Sequence, residues 1–134
     1  ECSVLGNDQP RVSVVGEVRT RQREFYDYVA KYTEGEADLI IPADIPPEKA
    51  EEVRALALRA YRAMDCSGMA RADFFVERDT GKVYLNELNT IPGFTKFSMY
   101  PKLWEASGVS YAELIDRLIT LAMERYMDKK RSGL

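Results

Sequence analysis

The sequence predicts an α+β fold in which a mainly antiparallel sheet packs against helices. Strand-like runs rich in valine, leucine and aromatic residues flank turn signals in the segments 1–19 and 71–89. Apolar residues recur at helical spacing over 47–65 and again after Ser110. No linker or change in composition divides the 134 residues. We therefore expect a single domain over 1–134.

The first predicted element is a hairpin followed by a long loop. Residues 1–6 and 11–19 are rich in Val and Leu, and the turn-forming run Gly6-Asn7-Asp8-Gln9-Pro10 separates them. Residues 20–44 show little periodicity and pass from aromatic to polar to apolar. This composition favours a surface loop held down by aromatic side chains, and long ordered loops are often functional.

The first predicted helix covers 47–65. Pro46 and Pro47 suit its start, and the acidic residues that follow oppose the positive end of the helix dipole. Ser67-Gly68 is expected to end it. The residues predicted to face the core are Ala50, Val53, Ala57, Ala60 and Met64.

The second predicted hairpin, over 71–89, has a short turn. Asp79-Thr80-Gly81 suits a three-residue loop that closes with a glycine in the left-handed conformation. Such a loop pairs Arg78 with Lys82. The register of the whole hairpin then follows, because the residue numbers of each cross-strand pair add to 160.

This register places four polar side chains on one face of the hairpin. Asp73 lies opposite Glu87, Arg71 lies opposite Asn89, and side chains alternate between faces along a strand. Opposed like charges repel, since their Cβ atoms lie about 4.5–5.5 Å apart. A hard divalent cation would relieve the repulsion, and Mg²⁺ typically uses one or two carboxylates plus phosphates. The alternatives are a solvated face with two ordinary acids, or an Arg71–Asp73 ion pair with a structural role.

A loop and a short helix follow the hairpin. Within residues 90–98, Pro92 and Gly93 are expected to form an ordered turn, and Gly93 lets the backbone approach a ligand closely. A helix over 99–107 is predicted, anchored by Trp104.

The last predicted helix begins with a capping box. In Ser110-Tyr111-Ala112-Glu113, the serine and the glutamate have the spacing that satisfies two N-terminal N–H groups. The charged tail, 128–134, is expected to be frayed. The residues predicted on the buried side are Tyr111, Leu114, Ile115, Leu118, Leu121 and Ala122.

Composition excludes several classes of function. The net charge of −3 gives no reason to expect binding to nucleic acid or to an anionic membrane. No apolar run approaches the length needed to cross a bilayer. Cys2 and Cys66 lack a paired spacing, which indicates reduced cysteines and a cytoplasmic location. The absence of histidine excludes a Ser-His-Asp triad or a histidine zinc site within this chain.

Residues 71–99 resemble the C-terminal part of D-alanine–D-alanine ligases, which are members of the ATP-grasp superfamily. Arg71-Ala72-Asp73 and residues 84–95 are similar to the metal-binding signature of that family, and residues 25–32 resemble its flexible loop motif. The resemblance runs from about Val4 to Ile119. It implies the C-terminal ATP-grasp subdomain, with the first-substrate region and the first ATP-binding region lying before the point that matches Glu1. The isolated chain is therefore expected to be inactive and to bind nucleotide poorly.

The resemblance implies roles for the polar face of the hairpin. Asp73, Glu87 and Asn89 would hold two Mg²⁺ ions, or Mn²⁺ in their place, with Glu87 shared between them. Arg71 and the backbone N–H of Gly93 would stabilise the oxyanion that forms when one D-alanine amine attacks an acyl phosphate.

The resemblance also implies substrate contacts. Ser98 and the backbone of Met99 would bind the carboxylate of the second D-alanine, and Ser98 alternatively only caps the helix that follows. Lys31 would contact the ATP phosphates. Phe75 would line the adenine pocket or belong to the core. The tyrosine at position 32, directly after the loop lysine, resembles the residue found in the dipeptide-forming members of the family. Alternatively, Tyr32 only anchors its loop.

The implied function is ATP- and Mg²⁺-dependent ligation of two D-alanine molecules for peptidoglycan synthesis, in an enzyme expected to be a homodimer. Another ATP-grasp carboxylate–amine ligase, or a D-alanine–D-lactate ligase, is the nearest alternative. A non-catalytic cation-binding module and a purely structural hairpin are the alternatives from other classes.

Overall fold

A computed structural model describes residues 1–20 and 37–133, and within them an antiparallel sheet packs against helices. A four-stranded sheet has the order β2-β1-β5-β6, and β3 and β4 form a separate pair. The predicted α+β fold is confirmed. The strands are β1 (Cys2–Gly6), β2 (Arg11–Val15), β3 (Glu17–Thr20), β4 (Ala37–Ile40), β5 (Gly68–Val76) and β6 (Val83–Asn89), and the helices are α1 (Pro47–Ala63), α2 (Met99–Ala106) and α3 (Tyr111–Arg131).

Helices cover the two faces of the four-stranded sheet unequally. Strand β1 is buried along its whole length, and its side chains alternate between two cores. Helix α1 packs on one face, whereas α2 and α3 pack on the other. The first core contains Cys2, Val4, Val15, Val53, Ala57, Tyr61, Ala70 and Ala72. The second core contains Leu5, Tyr100, Trp104, Val109 and Leu114.

Helix α1 has the predicted start but ends two residues early. Pro47 occupies its first turn, and the helix stops at Ala63 because the chain turns at Asp65, which has φ of 51°. Met64 consequently lies beyond the last helical turn and is 69% exposed, so its predicted burial is wrong. Tyr61 takes the inward position instead, and its buried hydroxyl donates to the Gly6 carbonyl oxygen at 2.8 Å.

The loop predicted over 20–44 is only partly described, and part of it is a strand. Residues 37–40 form β4, which pairs with β3, so the first predicted hairpin ends at Val15 rather than continuing to residue 19. Gly16 joins the two sheets. A Cβ at Gly16 would lie 2.8 Å from Leu103 Cδ2 and 3.0 Å from Met99 Sδ, so glycine allows the close packing against α2 there.

Helix α3 begins as predicted but buries fewer residues. The Ser110 hydroxyl accepts a hydrogen bond from the Glu113 N–H at 3.3 Å, which confirms the serine half of the capping box. The Glu113 carboxylate contacts Arg117 instead of reaching back. The helix continues to Arg131, so the tail is ordered further than predicted. Among the residues predicted to be buried, only Leu114 is fully buried. Tyr111, Leu118 and Leu121 are half-buried, whereas Ile115 and Ala122 are exposed.

In the described part of the chain, no helix combines the length and the apolar composition that crossing a membrane requires. The 21-residue α3 is long enough, but charged residues occur throughout it.

Both cysteines are unbonded, as predicted. Cys2 is buried in the first core, and burial raises the pKa of its thiol to about 12. Cys66 is half-buried, and burial also raises its pKa.

Candidate functional site

The β5–β6 hairpin brings together the four polar residues that the sequence singled out. Arg71 pairs with Asn89 and Asp73 pairs with Glu87, so the predicted register is correct where the site lies. The register then shifts, because Asn86 is an extra residue in β6 between the Asp73–Glu87 pair and the next pair. Bulges of this kind increase local twist and are common beside active sites.

The turn of this hairpin differs from the prediction. The Glu77 N–H donates to the Lys82 carbonyl oxygen at 2.9 Å, so Glu77 rather than Arg78 lies opposite Lys82. The loop contains four residues, 78–81, and Gly81 takes the predicted left-handed conformation with φ of 65°. The additional loop residue and the bulge compensate each other, which leaves both acids on one face.

A buried ion pair lies at the centre of this face. The Arg71 Nε and Nη2 atoms donate to the two carboxylate oxygens of Asp73, both at 2.7 Å. Glu1 Oε2 lies 3.3 Å from Arg71 Nε. Burial lowers the pKa of Arg71, but the hydrogen bonds to Asp73 and the charges of Glu1, Asp73 and Glu87 outweigh burial and raise it. Arg71 is therefore a permanent cation in a fixed orientation.

The acids on this face differ in their exposure. Asp73 is only 6% exposed, whereas Glu87 is exposed to solvent. The charges of Glu1, Asp73 and Glu87 all act on the guanidinium of Arg71.

The donor atoms on this face suit a hard cation. Asp73, Glu87 and Asn89 offer only carboxylate and amide oxygens, the ligands that Mg²⁺ prefers. The Asn89 Oδ1 atom accepts from the Ile91 N–H at 3.1 Å, which fixes its side chain at the end of β6. Among residues 1–20 and 37–133, no group of three or more His, Cys, Asp or Glu side chains is arranged to hold a metal.

The loop after β6 is anchored by Phe94. Its ring packs against Tyr100 and Tyr111, with ring centroids 5.9 and 5.5 Å away, and the Tyr111 hydroxyl donates to the Phe94 carbonyl oxygen at 3.0 Å. Within this loop, a Cβ at Gly93 would lie 3.1 Å from Ser98 Oγ. The predicted residues Gly93 and Ser98 are therefore neighbours.

Ser98 occupies the N-cap position of α2, but its side chain makes no capping hydrogen bond. Its Oγ atom instead accepts from the Thr95 N–H at 3.0 Å. Ser98 therefore occupies the predicted cap position, but its side chain does not serve as the cap. Met99, the next residue, is buried, and its backbone lies in the first turn of α2.

Two exposed aromatic residues extend the site toward the hairpin turn. Phe75 shares a face with Asp73 and Arg71, is 64% exposed, and pairs with Tyr84, which is 50% exposed. The core interpretation of Phe75 is therefore wrong. Tyr84 was not predicted to lie here, because strict alternation in β6 puts it on the opposite face from Glu87. Only the Asn86 bulge reverses that alternation, and the sequence contains no signal for it. Lys31 and Tyr32 lie outside the described residues.

Comparison with known proteins identifies the family. Residues 1–120 match the family model described as the D-ala D-ala ligase C-terminus. The chain belongs to this family. The resemblance and the predicted C-terminal ATP-grasp subdomain are thereby confirmed.

Individual members of the D-alanine–D-alanine ligase family agree with this assignment. A D-alanine–D-alanine ligase of Acetivibrio thermocellus is 59% identical over 128 residues, which cover 96% of this chain and 34% of that protein. The structure of the D-alanine–D-alanine ligase from Coxiella burnetii has a TM-score of 0.80 and 39% identity, covering 97% of this chain and 33% of the other. A Bacillus anthracis D-alanine–D-alanine ligase complexed with ATP has a TM-score of 0.74 and 32% identity, covering 96% and 40%. The chain thus spans about a third of the length of the Acetivibrio thermocellus and Coxiella burnetii ligases.

Proposed function

We propose that this chain is the C-terminal portion of a longer cytoplasmic ligase that uses ATP and Mg²⁺ to join two D-alanine molecules for peptidoglycan synthesis. The observation that supports it most is the Asp73–Glu87 pair beside the fixed Arg71 cation, in a member of this ligase family. The carboxylate and amide oxygens there suit Mg²⁺, and the exposed aromatic pair beside them suits a nucleotide base.

Asp73, Glu87 and Asn89 would hold the Mg²⁺ ions, or Mn²⁺ in their place. The bound cations would neutralise the negative charge of the ATP phosphates during transfer to the carboxylate of the first D-alanine. The two hydrogen bonds from the Arg71 guanidinium orient the Asp73 carboxylate, so its position is set by the protein before any ligand binds. Phe75 presents an apolar ring to the adenine from the same face.

Arg71 and the Gly93 N–H would stabilise the tetrahedral intermediate that forms when the second D-alanine amine attacks the acyl phosphate. Because Arg71 remains charged and is held by Asp73, it needs no reorganisation as negative charge develops on the substrate oxygen. Preorganised donors of this kind contribute about 3–4 kcal/mol each to lowering the barrier.

Ser98 and the Met99 N–H would bind the carboxylate of the second D-alanine. The first N–H groups of a helix have no partner within it and favour anions, and Met99 begins α2. Lys31 would contact the ATP phosphates and Tyr32 the substrate. The tyrosine favours dipeptide formation over formation of a D-alanine–D-lactate ester.

The proposal is tested by assaying the full-length protein for ATP-dependent ligation. We expect Mg²⁺-dependent formation of D-alanyl-D-alanine, and a much lower rate with D-lactate as the second substrate. Gel filtration of the same protein tests the proposed homodimer. Preferential use of D-lactate would instead identify a D-alanine–D-lactate ligase.

We expect the isolated 134-residue chain to show no ATP turnover, because it spans about a third of the related ligases. Phosphate release is measured for this chain and for the full-length protein at equal concentration. Robust turnover by the 134 residues alone would contradict the proposal that they are only part of the catalytic unit.

A further inference from the structure

Thr95 contacts the hydroxyl of Ser98 with two of its own groups. The Thr95 N–H donates to Ser98 Oγ at 3.0 Å, and Thr95 Oγ1 lies 2.9 Å from the same oxygen. Thr95 Oγ1 is fixed in turn, because it accepts from the Phe97 N–H at 3.3 Å. The Ser98 hydroxyl is therefore held by its neighbours in the loop rather than by helix α2.

The hydrogen-bonding capacity of the two hydroxyls limits what Ser98 can offer a ligand. A serine hydroxyl has one proton and two lone pairs. The Thr95 N–H uses one lone pair of Ser98, and the two hydroxyls share a hydrogen bond in which either oxygen can be the donor. When the Thr95 hydroxyl donates, the Ser98 proton is the group left for a ligand, and Ser98 then acts as a donor to an acceptor such as a carboxylate.

We propose that Thr95 is a positioning residue that makes Ser98 a dedicated donor to the carboxylate of the second D-alanine. This inference rests on the proposed function, and it identifies Thr95 as the residue that orients the Ser98 hydroxyl. Gly93 supplies a second observation, since a side chain there would lie 3.1 Å from Ser98 Oγ. Glycine therefore leaves that side of the hydroxyl accessible to a ligand.

The test replaces Thr95 in the full-length ligase and measures the Michaelis constant for each substrate. For Thr95→Val, we expect KM for the second D-alanine to rise about tenfold. We expect kcat and KM for ATP to change by less than about twofold, because Thr95 contacts Ser98 and none of the proposed metal ligands. Inhibition by the product D-alanyl-D-alanine, whose terminal carboxylate occupies the same place, is expected to weaken in parallel.

Two further variants separate positioning from structure. Thr95→Ser retains the hydroxyl and is expected to restore the wild-type KM. Thr120→Val is the matched control, because Thr120 is also exposed and its hydroxyl also makes a local hydrogen bond, to the Asp116 carbonyl oxygen at 2.9 Å on α3. It is expected to leave every kinetic constant unchanged. Thr95 is exposed, so its variants are expected to fold, and Thr95→Ala provides a second hydroxyl-free variant.

A double-mutant cycle with Ser98→Ala decides whether Thr95 acts through Ser98. We expect Thr95→Val to have no further effect on KM once Ser98 is alanine. Additive effects, or an unchanged KM in Thr95→Val, would overturn the inference while the wild-type enzyme remains active. A wild-type enzyme that does not ligate D-alanine would overturn the proposed function and this inference with it.

Discussion

Arg71→Met in the full-length ligase is expected to lower both activity and stability. We expect kcat to fall by about 10²–10³-fold, since the substitution removes a preorganised cation from the reaction centre. We also expect the free energy of unfolding to fall by about 3–5 kcal/mol. The reason is that Asp73, which is 6% exposed, would lose its bidentate partner while remaining in a largely buried position.

A matched control distinguishes the buried ion pair from a surface pair. Arg117→Met removes an arginine that contacts Glu113 at 2.7 Å on the exposed side of α3. Exposed pairs contribute about 0–1 kcal/mol, so this variant should unfold close to the wild-type denaturant midpoint and retain full activity. Arg71→Lys keeps the positive charge but loses the bidentate guanidinium. Its stability and its kcat should lie between those of wild type and of Arg71→Met.

Denaturant unfolding and steady-state kinetics on the same preparations check these expectations separately. If Arg71→Met were no less stable than Arg117→Met, the buried pair would not support the fold. If its kcat stayed within about twofold of wild type, Arg71 would have no catalytic role.

Alternation along strands was sufficient to predict the polar face of the hairpin. Its register was predicted correctly at Asp73 and Glu87, although the loop length was not. Gly81 takes its expected conformation in a loop of four residues rather than three, because the backbone closes at Glu77. The bulge at Asn86 then restores the register, and no residue type marks such a bulge in advance.

Periodicity identifies an apolar face but does not say what covers it. Ile115 and Ala122 were predicted to be buried on α3 because they lie at helical spacing, yet both are exposed. Phe75 shows the same limit on a strand, where an aromatic residue suits either a core or a ligand surface. Burial depends on which other elements reach each face, and this chain spans about a third of its relatives' length.

The hydrogen bonds between Ser98 and Thr95 could not be predicted from the sequence, for a different reason. They depend on the path of residues 93–98, which the packing of Phe94 against Tyr100 and Tyr111 determines. Local spacing alone gives Ser98 the position of a helix cap, and only the loop path directs its oxygen toward Thr95 instead.

Glu87→Gln is expected to abolish Mg²⁺-dependent ligation while leaving the fold intact. The substitution keeps the shape of an exposed side chain but removes one of the two opposed carboxylates, so the attraction for a divalent cation falls. Without ligand, the variant should be at least as stable as wild type, because repulsion between Glu87 and Asp73 is relieved.

Ligand-dependent stabilisation separates a metal ligand from an ordinary surface acid. At Mg²⁺ and ATP-analogue concentrations about 100 times Kd, the wild-type full-length protein should gain about 2.7 kcal/mol of stability. Glu87→Gln should gain almost none, and Glu124→Gln, an exposed acid on α3, should gain as much as wild type.

Isothermal titration with Mg²⁺, with and without the ATP analogue, completes the comparison. We expect strong Mg²⁺ binding only when the nucleotide is present, since two carboxylates leave most of the coordination shell to water and phosphate. Equal binding without nucleotide would favour a non-catalytic cation-binding module. Full ligase activity in Glu87→Gln would show that the opposed acids are a structural feature of the hairpin, because a residue that holds the catalytic cation cannot lose its charge without a large loss of rate.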